Sequence, residues 1–113
     1  MAQQKTVRDI EILQGATFKM SLTYKNSQGT SLINSGDTAR MQIRSEKSQT
    51  ASLLLDCATY LTISTTAIVV EIPASVTQGL AFTQGFYDVE LGQGTVVRRL
   101  AQGAVFLDTG VTV

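Results

Sequence analysis

The sequence predicts a single all-β domain, an antiparallel sandwich of seven or eight short strands with one short helical turn. Its 113 residues are enough for one compact core. Apolar and polar residues alternate with a period of two, which is typical of strands that bury one face. Clusters of Gly, Ser, Asn and Asp separate these stretches at intervals of roughly ten residues, as in small β-sandwiches. The hydrophobic content of 43% and charged content of 16% favour an ordered core over disorder.

The clearest strand covers residues 18–25, where one set of side chains is apolar and the intervening set is polar. The inward set is predicted to be Phe18, Met20, Leu22 and Tyr24. Similar alternation predicts strands at 39–44 and 86–91. Shorter or less regular extended pieces are predicted at 30–34, 53–55 and 96–107.

Residues 59–64 and 67–72 are predicted to form a hairpin that turns at 64–66. Pro73 ends the second strand, because proline has no N–H to donate to a ladder. One helical turn near residues 74–79 is expected to follow, with Ser75 as its cap and Gly79 at its end.

The last two strands are predicted to form a second hairpin. Residues 92–94 supply a tight connection. Gly103, in the middle of the final strand, indicates a bulge or a close approach of another backbone. The number and spacing of the strands predict an immunoglobulin-like sandwich, with a small closed barrel as the alternative.

One specific pairing of charges follows from the predicted strand faces. Arg40 and Arg44 lie on the outer face of one strand, and Asp88 and Glu90 lie on the outer face of another. If these strands are neighbours, the two arginines lie across from the two acids, and each exposed pair contributes roughly 0.2 to 1 kcal/mol. These four residues are predicted as a structural charge pairing and not as a catalytic site.

The sequence offers little for catalysis or for a cofactor or metal. It contains no histidine, which is the commonest general base and zinc ligand. Cys57 is the only cysteine, and the neighbouring Asp56 is expected to raise its thiol pKa. Asp88 and Glu90 fit a solvated strand face better than an acid and base couple. We therefore expect no enzyme activity, no cofactor and no metal site.

Charge and hydropathy also restrict the expected partners. Nine basic and nine acidic residues give a formal net charge of zero, with no basic stripe for nucleic acid. The sequence has no apolar run of 18 residues for a membrane span, and no small-molecule substrate is indicated. Residues 1–9 are polar where a signal peptide would be apolar. Residues 1–8 are expected to form an arm that is flexible or is ordered by a partner.

Five segments follow one another along the chain: 14–18 (QGATF), 38–44 (TARMQIR), 53–56 (LLLD), 85–91 (GFYDVEL) and 99–103 (RLAQG). In this order they resemble a known family, the small immunoglobulin-like virion proteins of tailed bacteriophages. The family includes N-terminal domains of upper baseplate and tail-fibre-attachment proteins. The sequence differs from the family pattern between residues 29 and 36 and near its C-terminus.

The resemblance implies a structural component of a virion, synthesised in the host cytoplasm, that acts through contacts with other virion proteins. A tail, baseplate or fibre-attachment protein, present as a homo-oligomer or in many copies, is the leading expectation. A capsid decoration protein is the alternative. A carbohydrate-binding module is a weaker alternative, because it needs exposed aromatic rings together and the chain has no tryptophan.

Overall fold

The computed structural model describes residues 6–110 of the chain. This part contains nine strands, one short α-helix and a 3-10 turn at Ala58–Tyr60. In chain order the elements are β1 (Thr6–Val7), β2 (Ile10–Leu13), β3 (Phe18–Leu22), β4 (Thr38–Arg44), β5 (Leu53–Asp56), β6 (Leu61–Ile63), β7 (Ile68–Ile72), α1 (Ala74–Thr77), β8 (Gln84–Gln93) and β9 (Val96–Asp108).

The strands form two sheets that pack as an immunoglobulin-like sandwich. The larger sheet has six strands in the order β1-β9-β8-β4-β5, and β2 also pairs with β9. The smaller sheet has three strands in the order β3-β7-β6. The pairing of the last two strands with β4, opposite a sheet built on β3 and β7, is the strand arrangement of immunoglobulin domains. The predicted fold class is therefore confirmed.

Alternation along the strands supplies the core between the two sheets. Met20 and Leu22 of β3 are buried, and Phe18 and Tyr24 pack against the core, as predicted. The buried side chains of the larger sheet include Met41, Ile43, Tyr87, Val89 and Leu91. The buried apolar side chains of the smaller sheet are Met20, Leu22, Ile68, Val70 and Ile72.

The sandwich is not purely antiparallel, which corrects the prediction. β1 and β2 both run parallel to β9. Both strands keep the same register against β9. Val7 pairs with Gln102 and Ile10 pairs with Val105, and two residues separate the two pairs on each side of the ladder. Residues 6–13 thus behave as one interrupted strand. Parallel and antiparallel strands share the same two-residue alternation, so the sequence pattern could not distinguish them.

Three local predictions also change. Residues 30–34 form no strand and contribute only an isolated bridge between Ser31 and Lys25. The predicted hairpin is present as β6 and β7, but Tyr60 belongs to the 3-10 turn and β6 begins at Leu61. The helical turn is also present, although its N-cap is Pro73 and not Ser75.

The strand is interrupted at Arg8 and Asp9, and these two residues are bonded to β8 and β9. We call this site the N-terminal junction. The Arg8 N–H donates to the Gln102 carbonyl oxygen (2.8 Å), but the Arg8 carbonyl oxygen accepts from the Tyr87 hydroxyl (2.7 Å). The Ala104 N–H instead donates to the Asp9 carboxylate (3.0 Å). The Asp9 carboxylate oxygen therefore accepts a ladder hydrogen bond from β9, while the Arg8 carbonyl oxygen is bonded to the Tyr87 hydroxyl instead.

Gly103 is required at this junction. A Cβ atom on Gly103 would lie 2.2 Å from the Arg8 carbonyl oxygen, a distance that real Cβ atoms do not adopt. The predicted close approach of another backbone at Gly103 is confirmed. The irregularity in the β8–β9 ladder lies elsewhere, where Val89 pairs with Ala101 and Glu90 with Arg99, leaving Leu100 as the extra residue.

The predicted N-terminal arm, residues 1–8, is described only from residue 6 onward. Residues 1–5 lie outside the described residues. Thr6 and Val7 are paired with β9, and Arg8 is held at the junction. For residues 6–8 the structure corrects the prediction, because their backbone groups find partners in the same chain.

Replacing Gly103 by alanine should destabilise the domain by about 1 to 3 kcal/mol, because the new methyl group overpacks the junction. Urea denaturation measures the change in unfolding free energy. Gly79→Ala is the matched control, since a Cβ there meets only the Val76 carbonyl oxygen at an ordinary 3.6 Å. Equal stability of the two variants would contradict the role given to Gly103.

Replacing Tyr87 by phenylalanine should cost about 1 kcal/mol or somewhat more, because the part-buried Arg8 carbonyl oxygen loses its donor. Thermal or urea denaturation at pH 7 measures this loss. A variant as stable as the parent would show that the hydroxyl contributes nothing to the junction.

The same hydroxyl gives a pH dependence. Burial raises the pKa of Tyr87 above 10.0, Arg8 acts in the opposite direction, and Asp9 raises it further. Because the folded pKa exceeds the unfolded value, the protonated hydroxyl stabilises the fold below about pH 10, and this contribution falls as pH rises further. The stability difference between the parent and Tyr87→Phe should shrink above pH 10, when both are measured in parallel by urea denaturation.

Candidate functional site

The outer face of the larger sheet contains an open groove of about 770 Å³. Strands β4, β8 and β9 form its floor. Residues 46–49, in the loop after β4, line one side, and Val7 and Asp9 line the other. The charged and aromatic side chains of the floor include Arg40, Arg44, Phe86, Asp88, Glu90 and Arg99.

The four residues of the predicted charge pairing all lie in this groove, on neighbouring antiparallel strands. The register places Arg40 directly opposite Glu90. Asp88 lies opposite Gln42, and Arg44 lies opposite Phe86. The register therefore brings Arg40 and Glu90 together, and it does not place Arg44 across from an acid.

Asp88 forms an ion pair with Arg99, which lies on the other neighbouring strand, β9. The Arg99 Nε lies 3.4 Å from the Asp88 Oδ2, and each side chain is 40% exposed. The Nε makes no hydrogen bond within the described residues, so this contact is a long ion pair. Exposed pairs of this kind are worth at most about 1 kcal/mol. The sequence pattern did not identify Arg99 as the partner, because its position opposite Glu90 depends on the irregularity at Leu100.

Arg44 has a different function in the groove. Its Nη1 donates to the Ala51 carbonyl oxygen (2.7 Å), and its Nη2 donates to the Gln42 Oε1 (2.9 Å). The guanidinium thus ties β4 to the loop that forms one wall. Hydrogen bonds from a charged donor are stronger than neutral ones, so this contact helps to hold the wall in place.

Apolar side chains complete the surface. Val7 is 69% exposed beside the groove floor, and Phe86 is half-buried on that floor. Phe106 is 42% exposed. It pairs with Gln84, two residues along the β8–β9 ladder from the pair formed by Phe86 and Ala104. Exposed aliphatic and aromatic groups beside arginines are the composition that protein–protein interfaces favour.

Arg98 and Arg99, adjacent on β9, make separate contacts. Arg99 faces the groove, whereas the Arg98 guanidinium lies 5.9 Å from the centre of the Tyr24 ring. The Arg98 Nε also donates to the Gln93 Oε1 (2.9 Å), and the Gln93 Nε2 donates to the Asp37 carboxylate (2.8 Å). These contacts fasten one end of the sandwich and leave Arg98 out of the groove.

Cys57 does not have the properties of a nucleophile. Its side chain is fully buried. Burial, with a smaller effect from the Asp56 carboxylate, raises the pKa of its thiol to about 12. The direction expected from Asp56 is confirmed, and the thiol stays protonated at neutral pH. Among residues 6–110, no group of three or more potential ligands is arranged to hold a metal ion.

No family model and no curated protein matches the sequence. One similar solved structure comes from photo-crosslinking analyses of multimeric cell-adhesive interactions of VGSC beta subunits, with 14% identity over 94% of this chain and 93% of that one, at a TM-score of 0.45. Another is the extracellular fragment of Novel Immune-Type Receptor 11 from Ictalurus punctatus, with 12% identity over 99% and 90%, at a TM-score of 0.42.

The described helices include none with the length and apolarity that crossing a bilayer requires.

Replacing Arg44 by glutamine should speed amide hydrogen exchange in residues 45–52, because the loop loses its bond through the Ala51 carbonyl oxygen. Exchange detected by mass spectrometry measures the effect. Arg40→Gln is the control, since the Arg40 side chain makes no hydrogen bond or ion pair with a described residue. Equal exchange in the two variants would show that Arg44 does not hold the loop.

Proposed function

We propose that this protein is a structural component that binds other protein chains through the groove on the outer face of its larger sheet, and that it catalyses no reaction. The observation that carries the proposal is the composition of the groove. Arginines, acids and exposed apolar side chains share one concave surface between two walls. Such a surface can bury apolar groups at its centre and satisfy polar groups at its rim.

The dimensions of the groove suit a single element of a partner. It spans four strands, or about 14 Å, since neighbouring strands lie about 4.8 Å apart. One helix of about 10 to 12 Å in diameter, or one extended segment, fits this width. Phe86 lies on the floor of the groove, and it supplies an aromatic group that a partner can bury.

The charges of the groove favour a protein partner over a polyanion. Its lining includes four basic residues and four acidic ones, so it has no net charge. Nucleic-acid sites instead concentrate basic groups. Opposite charges at alternating positions select partners by orientation and contribute less to affinity. The basic lining residues are Arg40, Arg44, Lys47 and Arg99, and the acidic ones are Asp9, Glu46, Asp88 and Glu90.

The proposed partners are other proteins of a tailed bacteriophage particle, and the proposed location is the virion. This part of the proposal is supported by the five sequence segments that resemble the virion proteins named above. On that resemblance, the protein acts in the tail, the baseplate or the attachment of tail fibres. The second candidate is a position on the capsid surface, and localisation on the particle distinguishes it from a position on the tail.

Gold-labelled antibodies on purified particles test this location. Labelling at the tail tip or neck is expected, in numbers of tens of copies or fewer per particle. Labelling spread over the heads, in hundreds of copies, would assign the protein to capsid decoration. Particles without label would overturn the virion proposal and leave the groove to be tested with other partners.

Replacing Phe86 by arginine should reduce incorporation into particles at least tenfold, because a charged side chain on the groove floor cannot be buried against a partner. Quantitative mass spectrometry of purified particles measures incorporation. Thr62→Arg places the same charge at an exposed position on the smaller sheet and should incorporate normally. Both variants must unfold at temperatures near the parent's. Normal incorporation of Phe86→Arg would contradict the role of the groove.

A further inference from the structure

The two sheets have free edges that differ in regularity. β5 has only four residues, and its register with β4 shifts between Ile43 and Arg44. β6 has only three residues. The β1 and β2 edge is interrupted at the N-terminal junction. Short strands, bulges and interruptions are devices that prevent an edge from pairing with another chain.

The edge formed by β3 has none of these protections. Its five residues pair with β7 in an unbroken register from Phe18 to Leu22. Within residues 6–110, β3 pairs with no other strand, because residues 6–13 join the larger sheet instead. The second edge of β3 therefore presents main-chain N–H and C=O groups that no described backbone group meets.

We propose that β3 pairs with β3 of a second copy of this chain, in an antiparallel arrangement with a two-fold axis at Met20. The two three-stranded sheets would then form one continuous sheet of six strands. A two-fold axis makes both partners use the same surface, so the interface closes at a dimer and does not propagate. The inference concerns the smaller sheet and is independent of the groove.

The side chains of β3 are self-complementary in this register. With Met20 opposite the partner's Met20, Phe18 lies opposite the partner's Leu22, so every inward pair is apolar. On the outer face, Lys19 lies opposite the partner's Ser21, and no two lysines meet directly. Each Lys19 also has an acid on its own sheet, with its Nζ 3.8 Å from the Glu71 carboxylate. Cross-strand pairs of these kinds stabilise antiparallel sheets.

Charge favours the same partner. The chain has no net charge, so two copies approach without overall repulsion. A two-fold axis at Lys19 is less favourable, since it would place the two lysines directly opposite each other. The strand is about 17 Å long, which makes the contact smaller than a standard protein interface. The dimer is accordingly weak, with a dissociation constant in the micromolar range or above.

Charge at residue 21 tests the pairing in both directions, because this side chain is exposed and faces the partner's Lys19. Ser21→Glu should lower the dimer dissociation constant of the full chain by about fivefold, through two new opposite-charge pairs. Ser21→Lys should raise it by a similar factor. Sedimentation equilibrium over micromolar to millimolar protein measures both constants, and both effects should weaken at high salt.

The matched controls are Thr62→Glu and Thr62→Lys, which place the same charges on β6, at the opposite edge of the smaller sheet. They should leave the dissociation constant unchanged. Melting temperatures near the parent's verify that each variant is folded. A chain that is monomeric at millimolar concentration would overturn the proposal. So would a dimer that responds equally to both positions, or one that responds only to Phe86→Arg in the groove.

Discussion

The N-terminal junction is the constraint on which the rest of the sandwich depends. The Tyr87 hydroxyl, the Arg8 carbonyl oxygen and the missing side chain of Gly103 together hold residues 6–13 beside β9. That placement gives the larger sheet two of its six strands and supplies one wall of the groove. It also takes the first strands away from β3, whose second edge stays free within the described residues. One local arrangement thus determines both surfaces at which we propose contacts.

The outer face of the larger sheet illustrates how register assigns charges to functions. Arginines at 40, 44 and 99 look alike in sequence, but the fold gives each different surroundings. One lies opposite Glu90, one anchors a loop through the Ala51 carbonyl oxygen, and one forms an ion pair with Asp88. Because that ion pair is part-exposed, it contributes little to stability. The main effect of the three side chains is on the shape and polarity of the groove.

The sequence predicted the fold class, most strands, both hairpins, the helical turn and the close approach at Gly103, because alternation, proline and glycine act locally. It did not predict that the first strands run parallel to β9, since alternation is the same in either direction. The partner of Asp88 was also missed, because one extra residue at Leu100 resets the register beyond the reach of pattern reasoning. The Thr77 hydroxyl accepts a hydrogen bond from the Gly15 N–H (3.1 Å) and donates one to the Ala16 carbonyl oxygen (2.8 Å). The sequence did not predict these bonds, because they join positions 62 and 61 residues apart.

The parallel pairing of the first strand with the last has a mechanical consequence. Residues 6–13 and 101–108 lie side by side in one register and point the same way. If the domain is pulled through its first and last strands, the force runs along these two strands in opposite directions. All of their shared hydrogen bonds are then loaded together, in shear, and cannot open one after another. Tension applied between the two ends of the sandwich is thereby opposed by all of these hydrogen bonds at once.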